Sequence, residues 1–474
     1  MSDSKQFHIG LIGLGVMGRN LALNMEQKGF PVAVWNRRSS TMNEFLQENQ
    51  GKQFAGHSEL SGFVSLLERP RRILLMIKAG DPVDQVIEQL LPLLQPGDII
   101  MDGGNSWFED TQRREARLRE LGLHYVGVGI SGGEEGARNG PSMMPGGSVE
   151  AYAEVKSVFE AITAQTEAGA CVTHVGPDGA GHFVKMVHNG IEYADMQLLA
   201  EAYDLMVRGL GLQEQKIAEV FEVWNQGPME SFLVELSAQV MKVKDPETGK
   251  PLVSLVMDKA GQKGTGRWTV QAALEQGVAI PGISAAVDAR VLSSMKQQRL
   301  AAANLLAGPE SASDVDLSEM LADLHDAVYA SRVTAYAQGM ALIRSASDRY
   351  GWSVDLAETA RIWKGGCIIR ARLLDPIRAA FSNDPEPVNL MIDSAMSDLL
   401  QGGQGAWRRV IGYALKAGIP LPVMGACLNY FDSYRTDRLP QNLIQAQRDA
   451  FGAHTYERID HPDRGFVHSE WLDS

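Results

Sequence analysis

Lys185, His188, Asn189 and Glu192 lie in the stretch Gly181 to Tyr193, the last three standing three, four and seven residues after the lysine. At about 100° per residue, a helix turns all four toward one narrow stripe. Val184, Val187, Ile191 and Leu198 then fall on the opposite stripe, where a core needs them. One face thus carries an ammonium, an imidazole, an amide and a carboxylate, a set suited to moving protons about a polar substrate. A solvated helix face, with lysine and glutamate in loose contact, shows the same spacing. The reading therefore depends on what the rest of the chain brings to this face.

Near the N-terminus, Phe7 to Ile12 is an apolar run of strand length, followed by Gly13, Leu14, Gly15, Val16, Met17 and Gly18. Arg19 to Glu26 continues with helical character, and Pro31 to Trp35 reads as a second strand. Strand, glycine-rich turn, helix and strand form the context that a dinucleotide fingerprint requires. Gly13 allows the tight turn, Gly15 lets the backbone approach a pyrophosphate, and Gly18 lets helix and strand pack closely; the helix N-terminus favours the anion. The alternative is a glycine-rich turn with no ligand. After the second strand come Asn36, Arg37 and Arg38, with no acid to hold a ribose 2′-hydroxyl. A guanidinium fork suits a 2′-phosphate, so the expected cofactor is NADP rather than NAD, unless an arginine here only caps a surface loop.

These residues need a scaffold, and the chain of 474 residues is long enough for two or three domains. Residues 1–179 alternate strands and helices; further strands are expected at Arg72–Ile77, Asp98–Met101, His124–Val128 and Cys171–Val175. Such alternation implies a mostly parallel, Rossmann-type α/β sheet covered by helices. From residue 180 to 437, long Ala-, Leu-, Glu- and Gln-rich stretches such as Ile191 to Gly209 predict an all-α domain. Residues 438–474 hold one helical stretch, Asn442 to Asp449, and then an irregular tail.

Composition excludes several classes. The formal net charge of −14 argues against a nucleic-acid partner. No apolar run approaches membrane-spanning length. Met1 to Gln6 lacks the basic and apolar regions of a signal peptide. Cys171, Cys367 and Cys427 are far apart and show no metal-ligand spacing, so a reducing, cytoplasmic compartment with free thiols is expected, and no metal.

Polar and glycine clusters recur where a parallel sheet places its ligands, beyond strand carboxyl ends. Ile77, Lys78 and Ala79 close the third strand, Asp102 to Asn105 and Ser106 follow the fourth, and Ser131, Gly132 and Gly133 follow the fifth. Each alone is an ordinary turn; together they define a polar rim around a bound nicotinamide. In the helical part, Gln262 to Trp268 contains Lys263 and Thr265, an ammonium and a hydroxyl able to hold a phosphate, or an ordinary basic loop. Arg290 has an equally plain reading as a surface helix cation.

These motifs carry a resemblance over essentially the whole length. Gly13–Gly18, Asp102–Ser106, Ile130–Ala137, Lys185–Tyr193, Gln262–Gly266 and Gln447–His454, in that order, make the chain resemble the 6-phosphogluconate dehydrogenases, decarboxylating enzymes of the pentose phosphate pathway. Arg38 departs from the family, which often has Thr or Ser there. The resemblance implies oxidation of 6-phosphogluconate at C3, loss of CO2 and formation of ribulose 5-phosphate. It implies Lys185 as general base and then acid, and Glu192 as the acid that protonates C1. It implies Asn105 between nicotinamide and substrate, Ser131, Gly132 and Gly133 at the carboxyl end, and His188 and Asn189 on hydroxyls and carboxylate. Tyr193, Lys263, Thr265 and Arg290 would hold the 6-phosphate. Arg448 and His454 resemble tail residues that reach the neighbouring subunit's site in a homodimer. Two other readings compete. A β-hydroxyacid dehydrogenase would oxidise a small acid without decarboxylation, but would not use the phosphate-binding cations. A catalytically dead NADP sensor would not need Lys185 and Glu192 together.

Overall fold

The computed structural model describes residues 6–309 and 315–472. Met1 to Lys5, on which the expectation about a signal peptide largely rests, lie outside the described residues. Seven strands form the principal sheet: β1 (Ile9–Ile12), β2 (Val32–Trp35), β3 (Phe54–Gly56), β4 (Arg72–Leu75), β5 (Ile99–Asp102), β6 (His124–Ser131) and β7 (Ser142–Pro145). Their order is β3-β2-β1-β4-β5-β6-β7, all parallel except the antiparallel β6–β7 pair. This is the doubly wound order in which the crevice opens at the carboxyl ends of β1 and β4.

Both faces of the sheet are covered, so its strands read as continuous apolar runs. Ile9, Leu11, Val32, Val34, Ile99 and Met101 point into one core, with Leu21 and Met25 of the Val16–Gln27 helix. The intervening Ile12, Ala33 and Ile100 point into the other, with Val83, Ile87 and Leu118. The period of two along each strand assigns the faces.

Two strands have no signature in the sequence. β3 is three residues of Phe-Ala-Gly, and β7 is Ser-Met-Met-Pro, a composition poor in strand formers. The expected strand at Cys171–Val175 is not one. That segment meets the sheet only through isolated bridges, Val172 to Met143 and Gly176 to Gly146. The segment runs beside β7, the edge strand, and touches it at points without forming a ladder.

The helix Ala180–Asp204 is the spine of the next layer. It is 25 residues long and runs on into a π-helical turn at Leu205–Gly209. At its start, Gly181 packs directly on the Gly127 carbonyl of β6, where a side chain would clash. Further along, Gly190 lies against Thr269 of the Thr265–Gln276 helix, and Gly339 of the 34-residue Leu317–Tyr350 helix lies against Ile191. Small residues at these crossings let the helices approach closely. Among the described residues, no helix is long and apolar enough to cross a membrane. The three cysteines are free and buried.

Residues 1–427 and 428–474 form separate compact units. The second contains the helix Gln441–Gly452 and a small antiparallel pairing of Tyr456–Glu457 with Phe466–Val467. Asp449 organises it: its carboxylate accepts from Thr455 N (2.8 Å), His468 Nδ1 (2.9 Å), Ser469 N (3.0 Å) and Trp471 Nε1 (2.7 Å). The tail described as irregular from its sequence is thus pinned on one side chain.

Candidate active site

The glycine-rich turn closes β1 and opens the Val16–Gln27 helix. Gly13 sits at φ 104°, and a Cβ there would meet the Met76 carbonyl oxygen at 2.5 Å, so only glycine fits. A Cβ on Gly18 would overlap the Gly13 carbonyl, which fixes helix against turn, whereas Gly15 faces open space. Leu14 N donates to Asn36 Oδ1 (3.0 Å), tying the turn to the end of β2. Around them is a cleft of about 580 Å3 lined by Gly13, Gly15, Asn36, Arg38, Ile77 and Lys78, with Arg37 beside Arg38. Arg37, Arg38 and Lys78 are exposed, and among the described residues no carboxylate pairs with either arginine. Leu14 is buried, Val16 is exposed at the helix start, and Met17 and Ala79 are half-buried beside the cleft. An open glycine, a helix N-terminus and unpaired cations make a receptacle for a phosphorylated dinucleotide.

Asn105 is exposed on the loop after β5. A buried carboxylate holds that loop: Asp102 accepts from Ser106 Oγ (2.5 Å), Gly104 N (3.0 Å) and Tyr125 OH (3.0 Å). The Asp102 carbonyl lies 3.0 Å from His182 Nε2, linking the loop to the first turn of the Ala180–Asp204 helix.

The four residues of the stripe meet as a set. Lys185 Nζ donates to Asn189 Oδ1 (2.6 Å) and lies 3.3 Å from His188 Nδ1. His188 Nε2 is 3.3 Å from Ser131 Oγ at the end of β6, and Nδ1 is 3.8 Å from a Glu192 oxygen. Asn189 Nδ2 donates to Thr265 Oγ1 (3.1 Å). This is not a solvated face: Lys185 is 6% exposed and His188 0%. Gly129 of β6 leaves no room for a side chain beside the Lys185 Cβ, and the Trp363 ring stands edge-on to His188 with centroids 5.3 Å apart.

Burial sets the titration. It lowers the Lys185 pKa from its ordinary value, while the charge of Glu192 pulls the other way. Burial also raises Glu192, against the opposing charges of Lys185 and Arg290. His188 is pushed well below its usual value by burial and then by Lys185, and is therefore neutral. The nearby Cys367 thiol is pushed up to about 12 by burial, so it stays protonated.

Two residues of the expected phosphate set, Tyr193 and Arg290, lie in contact. The Arg290 guanidinium lies 3.4 Å from the Tyr193 ring centroid and donates to Gly261 O (3.2 Å), on the loop that leads to Lys263. Lys263 is exposed, and Gly132 and Gly133 lead from β6 into the helix that follows. Arg448 and His454 lie exposed in the second unit. Trp363 and Cys367 have no local motif in the sequence and reach the site only through folding. A larger cleft, about 760 Å3 and lined by Arg344, Asp348 and Arg378, contains none of the sequence-selected residues.

Two family models match nearly the whole chain: the NAD binding domain of 6-phosphogluconate dehydrogenase at residues 8–176, and the C-terminal domain of 6-phosphogluconate dehydrogenase at residues 181–471. A decarboxylating 6-phosphogluconate dehydrogenase of Synechocystis is 54% identical over 98% of this chain and 97% of its own. The NADP(+)-dependent, decarboxylating enzyme of Bacillus subtilis is 51% identical over 99% of this chain and 100% of its own. The Plasmodium falciparum 6-phosphogluconate dehydrogenase, solved in apo form and in complex with NADP+ and with 6-phosphogluconate, superposes with a TM-score of 0.93 at 42% identity, covering 98% of this chain and 100% of that one.

Proposed function

Because the chain belongs to the 6-phosphogluconate dehydrogenase family, its reaction is the NADP-linked oxidative decarboxylation of 6-phosphogluconate to ribulose 5-phosphate and CO2, and we propose that Lys185 and Glu192 carry its proton transfers. The observation that supports these roles is the placing of an amine and a carboxyl on one helix face, Lys185 buried with its Nζ 2.6 Å from Asn189 Oδ1 and Glu192 largely covered 3.8 Å from His188, where burial makes the amine easier to deprotonate and the carboxyl harder.

Bound NADP supplies the hydride acceptor. Neutral Lys185 takes the proton of the C3 hydroxyl as C3 is oxidised to a ketone. The product is a β-keto acid, whose C1–C2 bond breaks as electrons flow into the C3 carbonyl and CO2 departs. The now protonated Lys185, held by Asn189, stabilises the developing enolate oxygen. Glu192 keeps its proton by virtue of burial and delivers it to the carbon that carried the carboxylate. Neutral His188 donates and accepts at hydroxyls without adding charge. Ser131, Gly132, Gly133 and Asn105 bind the carboxyl end, and Tyr193, Lys263, Thr265 and Arg290 the distal phosphate.

Gly13 to Gly18, with Asn36, Arg37, Arg38, Ile77, Lys78, Ala79 and Asn105, hold the cofactor. The labour divides at residues 1–179 for NADP, 180–437 for substrate and dimer contact, and 438–474 for a tail that brings Arg448 and His454 to a partner subunit. The unbridged thiols suit a cytoplasmic enzyme. NADPH formation from NADP and 6-phosphogluconate, with NAD in parallel and CO2 assayed, tests the reaction. Equimolar NADPH and CO2 are expected; reduction without CO2 would point to the hydroxyacid reading. Mixing Lys185→Arg and Arg448→Ala subunits tests the shared site: partial recovery of activity is expected, and none would refute it.

A further inference from the structure

The residues assigned to the two ends of the substrate sit in different layers, Asn105 on the loop after β5 and Lys263 to Thr265 at the start of the Thr265–Gln276 helix. A ring contact joins these segments. Trp107, two residues after Asn105, and Trp268, three after Thr265, have ring centroids 5.6 Å apart at 53°. The contact extends inward: Trp107 meets Phe108 (4.7 Å), and Phe108 meets Phe183 (5.0 Å), two residues before Lys185. Trp352 closes the cluster against Phe183 (5.3 Å) and donates Nε1–H to Asp178 Oδ1 (2.7 Å) just before the Lys185 helix begins. One aromatic series therefore runs from the phosphate-side helix, through the nicotinamide-side loop, to the helix bearing the base. Phe108 and Phe183 are buried, whereas Trp107 and Trp268 are half-buried, so the outermost pair bridges the two segments at the edge of the cluster, beyond the hydrogen bonds that Asp102 makes to the loop and Asn189 to Thr265.

We infer that Trp107 and Trp268 are positioning residues for this reaction, their ring contact holding the Asn105 loop and the Lys263–Thr265 segment in register so that one sugar phosphate is gripped at both ends. The inference rests on the functional reading above. Trp107 touches neither the cofactor cleft nor the Lys185 set, so its effect passes through the loop that it closes.

The test is a double-mutant cycle with Trp107→Leu and Trp268→Leu, which keep apolar bulk, and Trp107→Phe as the conservative variant. Each leucine variant is expected to lower kcat/KM for 6-phosphogluconate roughly threefold to tenfold, the range one aromatic pair supplies. The double variant should lose no more than about twice what either single loses, because the pair acts as a unit. Trp107→Phe should recover most of the activity, and NADP affinity in the absence of substrate should stay at the wild-type value in all three. The far-ultraviolet exciton couplet of the two indoles should vanish in each variant. Multiplicative losses in the double variant, or a couplet absent from the wild type, would overturn the inference. A wild-type protein with the couplet but no turnover would instead overturn the functional reading, and with it this assignment.

Discussion

Arg37 and Arg38 stand exposed at the end of β2, whereas Lys185 and His188, on the Ala180–Asp204 helix, are almost fully buried. The cofactor cleft uses charges that never change. A guanidinium stays protonated, so it serves best in solvent, where holding the charge costs little and an incoming phosphate replaces water. In the proposed roles, the Lys185 helix uses charges that must come and go. A solvated lysine would stay protonated near neutrality, so a base at this position would be obtained by removing water from it. The two regions thus differ in what folding must supply: for the cleft, a turn and a helix end; for the stripe, a sealed environment built from β6, the Thr265–Gln276 helix and Trp363. Disturbing one should leave the other intact.

The sharpest separation is Lys185→Arg. Arginine keeps the positive charge but cannot act as a base, so kcat should fall by roughly 10²–10⁴. NADP binding, measured by fluorescence titration, should be unchanged. A large loss of NADP affinity would show that the regions are coupled and break the comparison.

Glu192→Gln comes next, with a loss of about 10²-fold in turnover, toward the lower end for a general acid. Its pH profile carries the sign. Lys185, with its pKa lowered, must be deprotonated in the free enzyme, so kcat/KM should rise with pH through a midpoint below the ordinary lysine value. Glu192, with its pKa raised, must be protonated, so activity should fall again above the ordinary carboxylate range. Glu192→Gln should lose the alkaline fall and keep the rise. A profile in the variant that still falls at the same pH would assign that limb to another group.

The same contrast explains what the sequence could disclose. The cleft was legible because its parts are contiguous: three glycines in six residues, bracketed by strands, with arginines where β2 ends. The stripe was legible as geometry, since helical spacing alone aligns Lys185 with Glu192. Its burial was not, because Gly129 and Trp363, which crowd it, lie 56 residues before and 178 residues after Lys185 in the chain. Spacing alone could not distinguish this face from a solvated one. The strand misjudged at Cys171–Val175 failed for a related reason: a short β-branched run looks like a strand, but its neighbour is β7, a Ser-Met-Met-Pro strand with no strand signal of its own, which it meets only at isolated bridges. The tail's order was equally hidden, since Asp449 gathers partners up to 22 residues away.

Arg37→Ala should act on the cleft alone. A charged hydrogen-bonding partner contributes roughly 1.5–3 kcal/mol, which predicts an increase in KM for NADP of about 10- to 100-fold. KM for NAD should barely move, and the pH profile should keep both limbs. A shifted acid limb would mean that the charge is felt at Lys185 and that burial does not insulate the stripe.

Arg38→Ser should have the smallest effect, and it tests where this chain departs from its family. The Arg38 backbone carbonyl accepts from Asn36 Nδ2 (3.1 Å), so the residue helps shape the turn whatever its side chain. Serine keeps that carbonyl and offers a neutral hydroxyl in place of the guanidinium. If Arg37 provides the principal fork to the 2′-phosphate, Arg38 adds only a second, solvent-screened charge, contributing about 0.2–1 kcal/mol. KM for NADP should then rise by less than about fivefold, and the increase should shrink further as salt is raised past the screening limit, with a Debye length near 8 Å at physiological ionic strength. A loss as large as that of Arg37→Ala, and insensitive to salt, would make the two arginines equal partners and the cleft more dependent on its extra charge than the family pattern implies.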